Sequence, residues 1–190
     1  MQAQAGDGKV SISSSIGASV ADGGPAPALG VTFGYRPMEP FGFELELSYL
    51  LSMDFGEFDG PRILALGLFR PTIYPPLEFD VTGRAVMFGA NVVGYLPVGG
   101  SRLRPYVVAG GGVADVERRV EQREGCVCPA GSYRGPGFSE TALALSAGGG
   151  LDLQAWRAVA VGVDARYTHL FTDADAIDLA RISGRVTWRF

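Results

Sequence analysis

Residues 9–20 alternate in character. Val10, Ile12, Ile16, Ala18 and Val20 share one parity, and Lys9, Ser11, Ser13, Ser15 and Ser19 share the other. A repeat of two, rather than 3.6, belongs to a β-strand whose two faces meet different surroundings. Residues 28–36 set Leu29, Val31, Phe33 and Tyr35 against Gly30, Thr32, Gly34 and Arg36. Residues 41–50 set Phe41, Phe43, Leu45, Leu47 and Tyr49 against Glu44, Glu46 and Ser48. Five later segments, 84–96, 104–116, 141–153, 158–169 and 181–190, bring the predicted strands to eight, the fifth and sixth being glycine-rich and less regular.

The connections alternate in length. Residues 36–40, 97–103 and 154–157 are tight turns, whereas 51–80 and 117–140 far exceed a hairpin loop, 168–179 is intermediate and 21–27 is short. One end of the sheet is therefore trimmed and the other elaborate. Nothing in the composition marks a linker, and 190 residues suit one domain, 1–190, with residues 1–8 as an N-terminal extension.

The polar parity separates a membrane barrel from a soluble one. It holds Glu44 and Glu46 in the third strand, Asp164 and Arg166 in the seventh, and Arg181, Ser183, Arg185, Thr187 and Arg189 in the eighth. Acids and arginines of this kind can pair across the lumen of an eight-stranded barrel, which is just wide enough for side chains to fill. Glu44, Glu46, Asp164, Arg166, Arg181 and Arg185 are accordingly expected to form a polar network in the lumen, and replacing Arg166 or Arg185 should destabilise the barrel more than replacing loop residue Arg123. The other parity is apolar and nearly free of charge, as a lipid-facing wall requires. Tyr35, Phe41, Phe43, Tyr106, Trp156, Trp188 and Phe190 crowd the short-turn end, with Tyr49 and Tyr167 at the opposite strand ends, an interfacial girdle pattern.

Composition narrows the functional classes. The chain is 47% hydrophobic, yet no stretch approaches the roughly 18 uninterrupted apolar residues of a membrane-spanning helix. Its net charge is −4, and its basic residues, all arginine except Lys9, are scattered, which argues against nucleic acid as a partner. Before Lys9 there is no basic and apolar leader, and Ala3-Gln4-Ala5 has the small-x-small form that precedes a cleavage point, so the chain reads as one whose signal peptide is absent.

The residues that carry a family resemblance are Phe43-Glu44-Leu45-Glu46-Leu47, Asn91, the run Arg104 to Gly112, Val163-Asp164-Ala165-Arg166-Tyr167 and the terminal Val186-Thr187-Trp188-Arg189-Phe190. Over nearly its whole length the chain resembles the small eight-stranded outer-membrane barrels of Gram-negative bacteria, of the OmpA-like and OmpX-like kind. The resemblance implies an all-β, eight-stranded antiparallel up-and-down transmembrane β-barrel in the outer membrane, amid lipids and lipopolysaccharide. Termini and short turns would face the periplasm, with 51–80 and 117–140 as long extracellular loops. It also implies that Trp188 and Phe190 form the C-terminal signal read by the barrel assembly machinery, although Arg185 stands where that signal usually carries glycine. The function implied is non-enzymatic, in envelope integrity or surface interaction through the loops, with no surface partner named.

Other readings are a small porin-like channel, a soluble lipocalin-like ligand-binding barrel and a lipid A-modifying enzyme. The last draws on His169, because outer-membrane lipid A deacylases use a histidine and a serine two residues apart. Phe171 holds that position here, so no catalytic residue is assigned. Cys126 and Cys128 lie in a long loop in an oxidising compartment, as a strained loop disulfide or two free thiols. With one histidine and no second cysteine pair, no metal or other cofactor is expected. Asp173, Asp175 and Asp178 lack the glycine and glutamate of a calcium loop and read as a solvated acidic loop. Gly110-Gly111-Gly112 and Gly148-Gly149-Gly150 fall within strands, where they make room for bulky neighbours rather than opening a phosphate-binding helix. The apolar run 63–69 reads as a lid packed over the mouth or a partner-binding patch.

Overall fold

A computed structural model describes residues 9–21, 24–59, 78–97, 102–122, 138–172 and 176–190. They form eight strands: β1 (Val10–Ala21), β2 (Gly24–Met38), β3 (Phe41–Asp59), β4 (Glu78–Tyr95), β5 (Leu103–Gln122), β6 (Phe138–Gln154), β7 (Val159–Phe171) and β8 (Ile177–Arg189). Each pairs antiparallel with its sequence neighbours, and β1 pairs with β8 from Ser11↔Arg189 to Val20↔Ala180, closing the barrel. Closure leaves no edge strand and satisfies the backbone within the wall, the condition for a sheet to cross a bilayer.

The wall is taller than the alternation suggests. β3 and β4 stay paired to Asp59↔Glu78, with irregularities between Leu50 and Met53 and between Asp54 and Glu57 that break the repeat of two. β5 continues to Gln122, opposite Phe79. β2 begins at Gly24, whose φ of 136° lies in the left-handed region that glycine tolerates. Pro25 and Pro27 are paired only towards β1, because the β2–β3 ladder starts at Ala28↔Leu50. A proline without an N–H is tolerated at such a half-paired position.

The two faces separate sharply. Ile16 and Ile182 point outward at 69% and 70% exposure, and Leu45, Leu145, Val163 and Phe88 also lie on the outer surface. Glu46 and Arg185, on the opposite parity, are buried inside. So large an apolar exterior around a charged interior suits a protein whose solvent is lipid.

The interior has two zones. Towards the short turns it is ionic. Towards the long connections it is apolar, with Leu50, Val116, Leu170, Ile177 and Leu179 packed among Ala26, Ala28, Ala85, Ala114, Ala142 and Ala144. The charged and hydroxyl residues expected on the inward parity therefore share the interior with an apolar zone that the sequence analysis did not anticipate. Tyr106 also departs from its expected place: it lies inside, 2% exposed, and takes no part in the outer aromatic girdle.

Candidate functional site

The distinctive chemistry of the described residues is the ion layer inside the short-turn half. Adjacent inward positions on β3 supply Glu44 and Glu46, β7 supplies Asp164 and Arg166, and β8 supplies Arg181 and Arg185, two turns of the pleat apart. Arg166 sits at the centre. Its Nε donates to Asp164 Oδ1 at 2.8 Å, one terminal nitrogen donates to Glu44 Oε2 at 3.3 Å, and the other binds Glu46 Oε2. Arg181 binds the second oxygen of Glu46. Arg185 bridges Glu44 Oε1 at 3.2 Å and Asp152 Oδ2 at 3.3 Å.

Five further residues, Tyr106, Asn91, Ser146, Asp152 and Arg189, belong to this layer, though sequence reasoning did not single them out as site residues. Tyr106 donates its hydroxyl to Asp164 Oδ2 at 2.7 Å, and its ring lies 4.6 Å from the Arg185 guanidinium carbon, a cation–π contact. Asn91 donates to Glu46 Oε2 at 3.2 Å and accepts from Ser146. Asp152 receives Arg189 at 3.2 Å beside Arg185. The charges balance: Glu44, Glu46, Asp152 and Asp164 face Arg166, Arg181, Arg185 and Arg189. Buried charges persist when paired, and every ion of this layer has an opposite partner, while Asp152 Oδ1, Arg181 Nε and Arg185 Nε make no hydrogen bond among the described residues.

Glycines set the height of the layer. A methyl group built on Gly150 would lie 2.3 Å from the Tyr106 hydroxyl oxygen and 2.4 Å from the Val163 carbonyl oxygen. On Gly148 it would lie 2.2 Å from the Ala165 carbonyl oxygen and 2.9 Å from Arg166 Cα. The glycine triplet of β6 thus provides the space into which Tyr106 and Arg166 pack. Gly150→Ala should push Tyr106 off Asp164 and lower the unfolding free energy by about 1–3 kcal/mol, the range for overpacking. Urea unfolding in lipid bilayers measures it, and an unchanged midpoint would show that the space is not needed.

His169 lies on the outer side near the loop end. Its Nδ1 is 2.6 Å from Asp178 Oδ1, which also accepts from the Tyr167 hydroxyl at 2.6 Å, and its ring packs edge-on against Phe171 at 4.5 Å. Phe171, two residues on from His169, brings a phenyl ring and no hydroxyl to it. At the short-turn end Tyr35, Phe41, Phe43, Trp156, Trp188 and Phe190 are exposed around the rim, and the Phe190 N–H is tied to Val10 O at 2.9 Å. Cys126, Cys128, Arg123, Asp173, Asp175 and residues 63–69 lie outside the described residues. No group of potential metal ligands occurs among the described residues.

A closed eight-stranded wall, greasy outside and ion-filled within, defines an integral membrane β-barrel. A family model for the outer membrane protein beta-barrel domain matches residues 1–190, and the chain belongs to that family. No curated protein matches the sequence. Among solved structures it is similar to a major outer membrane protein from Thermus thermophilus, with a TM-score of 0.62, 14% identity, and coverage of 95% of this chain and 99% of that chain. Neisserial surface protein A gives a TM-score of 0.55 at 14% identity, covering 95% and 96%. OprG from Pseudomonas aeruginosa gives 0.54 at 13%, covering 96% of each chain. At such identities these likenesses show the fold alone. The protein is integral to the outer membrane and stands in its lipid environment.

Proposed function

We propose that this protein is a non-enzymatic, non-conducting outer-membrane barrel that contributes to envelope integrity or surface interaction through its long connections. In this reading the connections that begin after Asp59 and Gln122, within the stretches 51–80 and 117–140, face outward among lipopolysaccharide, and the short turns face the periplasm. Trp188 and Phe190 serve as the recognition element for barrel assembly. The closed lumen carries the non-conducting part: Arg166 and Arg185 cross the interior to Glu44, Glu46 and Asp152, and an apolar collar around Leu50 and Leu170 lies above them. An ion entering would have to part the buried pairs and cross an apolar collar, two barriers in series.

Purified protein reconstituted into planar bilayers is expected to show no steady conductance. Stable channels formed by the wild type would overturn the closed-lumen reading. A detergent requirement and a heat-modifiable gel band are expected in the same preparation, whereas a lipocalin-like protein would stay soluble without detergent.

A further inference from the structure

Arg102 and Arg157, at the short-turn end, stand outside the ion layer. Both are exposed, and neither guanidinium has a hydrogen-bond or ion-pair partner among the described residues. Gln154 ties them to one place. Its N–H donates to the Arg102 carbonyl at 2.9 Å, and its side-chain amide donates to the carbonyls of Trp156 and, at 3.3 Å, Arg157. The Val159 carbonyl accepts from the N–H groups of Ala155 and Trp156 at 3.1 and 3.0 Å, which tightens the turn between β6 and β7. Trp156 in this turn is 70% exposed, so its ring is left for the surroundings rather than for the barrel. Next to it in the wall, the ladder row Leu103↔Leu153↔Val161 turns three apolar side chains outward. The described acids at this end are engaged elsewhere: Glu39 lies 3.6 Å from Arg36, and Asp152 is shared by Arg185 and Arg189.

We propose that this turn seats an anionic phospholipid, with Arg102 and Arg157 on its phosphate and its acyl chains laid against Trp156, Leu103 and Leu153. A guanidinium pairs with a phosphate through two parallel N–H donors, and an indole ring settles at the depth of the headgroups, so cation and ring recognise adjoining parts of one lipid. Free phosphate would gain the two arginines but nothing from the ring or the apolar row. On the outer surface at the opposite strand ends the charge balance is reversed, with Asp115, Glu117 and Asp178 against Arg84. The leaflet follows from the orientation given under Proposed function, on which that part of the step rests: short turns in the periplasm put the seat in the periplasmic leaflet.

The test uses the full chain carrying Trp188→Phe, so that Trp156 is its one tryptophan. It is refolded into bilayers that mix phosphatidylcholine with phosphatidylglycerol, one of the two brominated on its acyl chains. Brominated phosphatidylglycerol is expected to quench Trp156 as if enriched roughly fivefold over its bulk fraction, and less so as salt rises. Adding Arg102→Gln/Arg157→Gln should bring quenching by the two lipids level, whereas Arg84→Gln at the far end should leave the preference intact. The heat-modifiable band reports that each variant is folded. Equal quenching before the arginines are changed, or a preference that survives their replacement, overturns the seat. So does loss of the preference to inorganic phosphate at constant ionic strength, which would make the two arginines a site for small anions. An epitope placed in the 97–103 turn tests the leaflet separately: if antibody reaches it on intact cells while the preference still depends on Arg102 and Arg157, the seat stands and the periplasmic assignment fails.

Discussion

Replacing Arg166 with methionine is expected to lower the unfolding free energy by about 3–5 kcal/mol, the scale for removing one partner from a buried ion pair. Three carboxylates, Glu44, Glu46 and Asp164, lose a donor at once; Arg181 still binds Glu46 and Arg185 still binds Glu44, but four buried acids are then left facing three arginines. The surface pair Arg84–Glu117 is the control. Arg84 Nε donates to Glu117 at 2.6 Å, but its side chain is 54% exposed, so Arg84→Met should shift stability by less than about 1 kcal/mol. Urea titration in bilayers, read by tryptophan fluorescence and by the gel band, compares the two. Adding Glu46→Gln to Arg166→Met should recover part of the loss, since it removes the buried negative charge left in excess. Equal and small effects of Arg166→Met and Arg84→Met would mean that the interior network contributes nothing to stability.

The second large effect lies on the opposite face. Ile182, 70% exposed and opposite Ala165 and Ala18 in the middle of the wall, is expected to tolerate alanine or valine. Arginine there should lower stability by about 2–4 kcal/mol in lipid, the range for a cation at the bilayer midplane. Near the turns, an exposed cation such as Arg157 already sits at the membrane edge, and Ala158→Arg should be close to neutral. The contrast tests the membrane directly, because on a barrel in water an exposed Ile182→Arg would be harmless or would improve solubility. A neutral result at Ile182 in bilayers would remove hydrocarbon from that face.

Much of this architecture is legible from alternation alone. The runs around Leu45 and Val163 show which residues face out, because large apolar and charged residues trade places at every step. Glu44, Glu46, Asp164, Arg166, Arg181 and Arg185 stand on the inward parity of three strands and meet in one layer. Tyr106 is harder to place. Its neighbours Val107 and Val108 are both apolar, so parity there is mute, and position near a turn points to the girdle. Asp152 follows inward glycines that leave no side-chain signal. The apolar collar is hidden because Leu50 lies between Tyr49 and Leu51, and Leu170 between His169 and Phe171, without a clear change of polarity on either side. Bulges after Leu50 likewise conceal the upper parts of β3 and β4.

The sequence by itself determined the period, the number of strands and the face each strand shows to lipid, because these depend on residues one or two positions apart. The tertiary structure alone decided which acid meets which arginine. Glu46 and Arg166 are 120 residues apart, and Glu44 and Arg185 are 141 apart, so their meeting depends on the register in which the last strand closes onto the first. It also decided that Lys9, Arg36 and Arg189 line one depression at the short-turn end, since a barrel brings strand ends from distant parts of the chain into a single ring. Local chemistry selects a strand's face; only closure selects its partners.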